Sequence, residues 1–192
     1  YSYSVEYYYD GVKGDAPAEA TTGGTGEFGS LASITPSQSV TVGEKTYTLV
    51  SEGHSVRITS NPLNNVIRVD YELDMNGDDI PDKYQKEVTF TVRNGSWNDN
   101  TETAKTVLVT LVDENEKWSE TGSYKLTSKD VPGVGTNPAD GYKAGAWDVQ
   151  PLDAVINSDA ENVRTFEYAY VKDSYSYSVE YYYDGVKGDA PA

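Results

Sequence analysis

Residues 1–18 read YSYSVEYYYDGVKGDAPA, and residues 175–192 read the same letters in the same order. Tyr3, Val5, Tyr7 and Tyr9 alternate with Ser2, Ser4, Glu6 and Tyr8. That period of two predicts a β-strand with one face turned to a core. Asp10-Gly11 then supplies the dipeptide of a tight hairpin, whose two central residues take positive φ. The second copy begins 174 residues after the first. Such a fixed offset predicts a tandem array, with this chain holding one full unit and, over 173–192, the opening of the next. The alternative is an engineered duplication at the C-terminus. A period this long makes each unit one or two domains, not a solenoid turn.

The same alternation continues along the chain. It predicts strands over 45–50, 54–59 and 65–73, then 87–93, 105–112, 122–127, 144–149 and 162–171. Residues 15–30, rich in Gly, Ala and Thr, read as a loop. No stretch keeps the 3.6 spacing of a long helix. Single helical turns are expected at most, at 128–131 ahead of Pro132 and at 152–157. The fold class is therefore mainly β. Two small β-rich domains in line are expected, over 1–73 and 83–172, joined by an acidic loop at 74–82. Val5, Tyr7, Ile67, Val69 and Tyr71 form the first expected core. Phe90, Val92, Val109, Tyr142, Trp147, Phe166 and Tyr168 form the second.

Composition narrows the function. The chain has 192 residues, 15 of them basic and 31 acidic, for a net charge of -16. A field of that sign repels nucleic acid and anionic membranes. No apolar run approaches the roughly 20 residues that cross a bilayer, so membrane insertion is not expected. There is no Cys, which excludes disulfides, thiol catalysis and thiolate zinc sites. The chain opens on Tyr1 and its single Met is Met75, so it reads as a piece of a longer protein.

Two stretches, YSYSVEYYYDGVK and NNVIRVDYEL, resemble the first and last strands of the mucin-binding-protein-type repeats of Gram-positive surface proteins. The closing strand carries that family's pattern as Val66-Ile67-Arg68-Val69-Asp70-Tyr71. VTFTVRNGSW and GYKAGAWD resemble the internalin-B-type (Listeria–Bacteroides) repeat, through Val88-Thr89-Phe90 and Gly141-Tyr142 with Trp147. The resemblance implies β-grasp-like modules of an extracellular, wall-attached adhesin. The anchor and the binding head would lie outside this stretch, and adjacent identical repeats would be the main partners. The 96–120 segment is longer than a minimal repeat of the second family has.

The sharpest local signal is Asp74-Met75-Asn76-Gly77-Asp78-Asp79-Ile80-Pro81-Asp82. Asp74, Asn76, Asp78 and Asp82 fall at positions 1, 3, 5 and 9 of a calcium-type loop, with the Ile80 carbonyl at position 7. Calcium is thus the one cofactor expected, fixing the angle between the domains. Two residues depart from the pattern: Asp79 stands where Gly is usual, and Gln85 where a bidentate Glu is usual, with Glu87 two residues on. The competing reading is a solvated acidic linker.

Other candidates are weaker. His54 is the only His and lacks Cys or His partners for a metal. No motif singles out a carboxylate pair for glycoside hydrolysis, so no catalytic residues are assigned and an enzyme is not expected. The Gly-rich 21–26 stretch lacks the Lys of a phosphate loop. A Lys–Asn or Lys–Asp isopeptide cross-link cannot be placed from sequence. Tyr8, Trp97 and Trp118 are candidate platforms for a host glycan or mucin, the last two because they stand among Asn, Asp, Glu and Lys. The competing reading has each Trp covering a small core. Two functions follow: a stalk or spacer that projects a binding head from the cell wall, or a glycan-binding module.

Overall fold

In the computed structural model, which describes residues 1–191, the Tyr-rich opening forms β1 (Ser2–Tyr9) and turns at Asp10-Gly11 into β2 (Val12–Gly14). Asp10 and Gly11 take φ of 49° and 80°, the left-handed pair that matches the twist of a hairpin. The start of β1 pairs antiparallel with β3 (Gly23–Thr25), inside the stretch expected to be loop. Next come β4 (Leu31–Ser33), β5 (Ser39–Val42), β6 (Lys45–Leu49), β7 (Ser55–Arg57) and β8 (Val66–Leu73). The main sheet runs β2-β1-β8-β6-β5. Its centre is a parallel pair, with Val5 opposite Ile67 and Tyr7 opposite Val69. Strands β4 and β7 form a small ladder of their own.

The core of this sheet is the expected one. Val5, Tyr7, Ile67, Val69 and Tyr71 are buried, and Tyr47 joins them. Burying side chains of this size stabilises the fold by roughly 1.5–3 kcal/mol each. Buried tyrosines also carry a polar tip that needs a partner. The Tyr7 hydroxyl donates to the Thr21 carbonyl and the Tyr71 hydroxyl to the Ser37 carbonyl, both at 2.8 Å. Each ring therefore ties an irregular segment to the sheet. Burial pushes the Tyr71 phenol up to about 12. Asn65, fully buried, does the same for the chain start: its amide donates to the Ser2 and Thr59 carbonyls while its oxygen accepts from the Thr59 amide and hydroxyl.

The remaining strands are β9 (Gln85–Arg93), β10 (Gly95–Ser96), β11 (Lys105–Thr110), β12 (Tyr124–Lys125), β13 (Asn137–Pro138), β14 (Tyr142–Trp147), β15 (Val155–Ile156) and β16 (Thr165–Lys172). Four of them form a sheet ordered β11-β9-β16-β14. Here too the first and last strands are parallel neighbours, with Phe166 opposite Phe90. Both main sheets thus share one order: second strand, first, last, and a strand from just before the last. Phe90 stacks on Phe166 at 5.8 Å and meets the Trp147 ring edge-on at 6.0 Å. Phe90, Val109, Phe166 and Tyr168 are buried as expected, whereas Val92, Tyr142 and Trp147 are half-buried. By compactness the chain divides into one unit of residues 1–87, 108–125 and 155–162 and another of 88–107, 126–154 and 163 onward.

The 128–131 segment holds the single turn expected there, closed by the Asp130 and Val131 amides on the Thr127 carbonyl. Two sequence readings need correction. Residues 152–157 turn and then enter β15, which pairs with β12. The only regular helical pieces among the described residues are 3₁₀ turns at Pro62–Asn64 and Asp82–Tyr84. Trp97 is the second. It is 1 % exposed, so it offers no face to a sugar. The polar residues around it fold back as a rim: the Trp97 indole donates to the Thr103 carbonyl, the Trp97 amide donates to the Thr101 carbonyl, and the Asn137 side chain donates to the Trp97 carbonyl.

The C-terminal copy of the Tyr-rich stretch differs from the first copy in one respect. Its hairpin is present as β17 (Tyr181–Tyr183) and β18 (Val186–Gly188), in the register of β1 and β2. Asp184 and Gly185 repeat the turn at φ of 48° and 81°. The Lys187–Glu180 ion pair and the Tyr182 hydroxyl on Glu180 repeat Lys13–Glu6 and Tyr8 on Glu6. Residues 174–180 form no strand.

Candidate functional site

The acidic loop is organised from its first residue. Asp74 ends the apolar alternation of β8 and is fully buried. A buried carboxylate needs donors, and the loop supplies them. Asp74 Oδ1 accepts from the Gly77 amide at 2.8 Å and the Asp78 amide at 3.3 Å, and Oδ2 from the Asp79 amide at 2.9 Å. Gly77 and Asp79 take φ of 72° and 67° to aim those amides inward. Asn76 Oδ1 accepts from the Asp78 amide, Asp78 Oδ1 from the Ile80 amide, and Asp82 Oδ2 from the Met75 amide. Gln85, in the position expected of a bidentate acid, cross-braces the loop by donating to Asp78 Oδ2 at 2.6 Å and accepting from the Asn76 side chain at 3.0 Å. Glu87 is exposed on β9.

The five expected calcium ligands therefore lie in one loop. Among the described residues, however, no three His, Cys, Asp or Glu side chains converge as a metal-holding group. In this arrangement the carboxylates face backbone amides. Asp74→Ala is expected to destabilise the protein by about 2–3 kcal/mol, because it orphans inward-facing amides. A urea melt of the variant against the wild type measures it.

The aromatic candidates are dispersed. The Tyr8 ring lies under the Arg68 guanidinium, 3.8 Å from its centroid, so one face is occupied. Trp97 is the buried plug described above and packs on Trp147 at 6.2 Å. Trp118 is 45 % exposed, with its ring 6.0 Å from Tyr84. It lines an open cleft with Tyr84, Gln38, Leu49 and Glu52. Tyr84 escaped the sequence reading, although its place just after a run of acids marks it as a surface aromatic.

Two further arrangements bear on chemistry. His54 Nε2 lies 2.8 Å from Ser51 Oγ, the contact of a nucleophile and its base. That hydroxyl already accepts from the Asp70 amide at 2.8 Å, and the pair spans a turn of three residues. Lys105 donates to Asp99, which with the Thr101 hydroxyl and amide holds the Asp99 carboxyl down to about 2. The Lys105 side chain is half-buried and that of Asp99 is exposed.

No family model matches the chain. No curated protein matches it. One solved structure aligns, domains 3-4 of the Streptococcal High Identity Repeats in Tandem (SHIRT) from a cell surface protein. The alignment has 12 % identity and a TM-score of 0.32, covering 88 % of this chain and 96 % of that one. A TM-score of that size does not establish a shared fold.

Proposed function

We propose that this chain is a non-enzymatic repeat unit of a bacterial surface adhesin, acting as a stalk or spacer that projects a binding head from the cell wall. One observation carries the reading: the identical copies at 1–18 and 175–192. A sequence kept letter for letter at so long an offset is what an array of whole units produces. The net charge of -16 suits a solvated, mutually repelling array. Small-angle scattering on chains of one, two and three units tests the proposal. A spacer requires the maximum dimension to grow in proportion to unit number. A dimension that levels off after the first unit rejects it.

The second reading, a glycan- or mucin-binding module, is favoured by the Trp118–Tyr84 cleft alone. Aromatic faces beside polar side chains are the usual sugar platform, and an array would multiply weak affinity into avidity. A glycan array probed with the single unit, with a three-unit chain and with Trp118→Ala separates the two readings. Binding by the wild type that is lost in the variant replaces the spacer reading. Silence from both one and three units retains it.

Calcium at Asp74, Asn76, Asp78, the Ile80 carbonyl and Asp82 is a further proposal. The supporting feature is the left-handed Asp79, which turns the loop where a glycine usually does. Binding requires the carboxylates to reorient around the ion. A rise in melting temperature with added calcium, absent in Asp78→Ala, supports it. Identical melting in calcium and in chelator rejects it.

A further inference from the structure

The cleft of Trp118 and Tyr84 has a charge as well as a shape. Three carboxylates, Glu52, Glu72 and Glu116, line it against one amine, Lys117. Glu52 and Glu116 are exposed, and neither carboxylate is paired among the described residues. Glu72 receives Lys83 on Oε1 at 2.5 Å, while its Oε2 has no hydrogen-bond partner. The rest of the molecule shows what such a setting attracts. Among the described residues three cations lie over aromatic rings, and each also pairs with a carboxylate. Arg68 lies 3.8 Å over the Tyr8 ring and binds Asp70. Lys83 lies 4.9 Å over Tyr84 and binds Glu72. Lys105 lies 6.0 Å over Trp97 and binds Asp99. In each case the ring quadrupole attracts the cation while the carboxylate accepts its N–H. Trp118 is exposed beside carboxylates of the same kind, and none of these cations covers it. Indole is the strongest of the aromatic partners for a cation.

We propose that this cleft takes amino sugars, glycans that carry a free primary ammonium, and rejects sialylated and sulfated ones. The proposal rests on the reading of the cleft as a sugar site and names the class of sugar. The apolar face of a hexose stacks on the indole. Its ammonium brings three N–H donors and no acceptor, which complements a lining of carboxylates. The Gln38 side chain donates to the Thr48 hydroxyl at 3.1 Å, which leaves its oxygen for a sugar hydroxyl. N-acetylation removes the charge and two of the three donors, so the neutral analogue keeps the stacking alone. A carboxylate or sulfate on the sugar meets like charge in the cleft, inside the field of a chain whose net charge is -16. Like charges placed together select against the wrong ligand.

Titration of the full chain followed by NMR tests this, in mildly acidic buffer that keeps the sugar amines protonated. The Trp118 indole N–H signal, identified by its absence from Trp118→Ala, reports on the cleft. The probes are a glucosamine tetramer, the same tetramer fully N-acetylated, and sialyllactose. The glucosamine tetramer is expected to bind about tenfold more tightly than the N-acetylated one, and sialyllactose to leave the signal in place. Glu52→Gln combined with Glu116→Gln should weaken the glucosamine tetramer about fivefold. Glu27→Gln combined with Glu44→Gln makes the same charge change at exposed positions outside the cleft, and should weaken it less than about twofold. All four changes fall on exposed side chains, where stability is nearly indifferent to substitution. Equal affinity for the two tetramers, or an equal response to sialyllactose, overturns the amino-sugar assignment and leaves the sugar reading of the cleft standing. Equal losses from the two glutamine pairs also overturn it, because the attraction then belongs to the charge of the whole chain. Tetralysine that moves the Trp118 signal with the same affinity overturns it in favour of a basic peptide. A signal that moves with none of the sugars overturns the proposal and the glycan reading together.

Discussion

Replacing Trp97 with alanine is expected to destabilise the protein by about 3–5 kcal/mol, the range for deleting a buried large aromatic. The ring is 1 % exposed and packs on Trp147, which in turn meets Phe90 and Tyr168. Its loss leaves a cavity among rings fixed on strands that cannot easily collapse into it. The truncation also strands the Thr103 carbonyl that the indole N–H satisfies. Trp118→Ala is the natural comparison, since Trp118 is 45 % exposed, and its effect on stability is expected within about 0.5 kcal/mol. Denaturant melts of both variants decide the matter. A Trp97 variant that melts with the wild type would mean that the ring is not part of this core.

The contrast between the two tryptophans shows what kind of information sequence carries here. Trp97 stands in SWNDNTET and Trp118 in NEKWSE, and both contexts read as polar loops. The difference lies in where the neighbours' hydrogen bonds go. Asn98 and Asp99 turn the chain so that Thr101 and Thr103 return to Trp97, and no local count of polar residues contains that return. Strands with strong alternation were readable: β1, β8, β9 and β16 all fall where their period places them, and the first core follows from it. The partner of each strand was not readable. A period of two says which face is buried but not which strand lies alongside, so the parallel pairing of first and last strands in both sheets emerges only in the fold. β12 falls inside the strand expected over 122–127, but its two-residue partner β15 has no local signature and is defined by that pairing. β3 is hidden for a different reason. Its glycines carry no alternation, yet they are needed, since a Cβ on Gly24 would lie 2.8 Å from the Tyr3 ring that crosses it. In the acidic loop the alternate spacing of Asp74, Asn76 and Asp78 was plain. That Asp74 is buried and saturated by amides depends on the depth at which β8 ends, which spacing does not encode.

Gly145→Ala is expected to produce the other large loss, about 3 kcal/mol, at the upper end for inserting a methyl group into a packed site. Gly145 lies in β14 where the pairing with β16 slips between Lys143 and Ala146. Its amide leaves the ladder and donates to the Tyr168 hydroxyl at 3.0 Å. At such a bulge the two backbones close in. A Cβ on Gly145 would lie 1.8 Å from the Ala169 carbonyl oxygen and 3.1 Å from the Tyr170 Cα. These are backbone atoms of the central strand β16, so no side-chain rotation relieves the clash. Either β14 lifts away or β16 shifts, and β16 carries Phe166, Tyr168 and Tyr170 into the core. Gly141, just before the same strand, is the control. It takes φ of 79° with no atom within 4 Å of an added Cβ, so alanine there meets only the left-handed backbone penalty of about 1–2 kcal/mol. The two variants therefore separate close approach from conformational freedom as reasons for a glycine. Urea melts followed by tryptophan fluorescence, which reports on Trp147, should rank wild type above Gly141→Ala and Gly141→Ala above Gly145→Ala. If Gly145→Ala melts with the wild type, the two backbones stand further apart at the slip between β14 and β16, and the register of that edge strand is wrong.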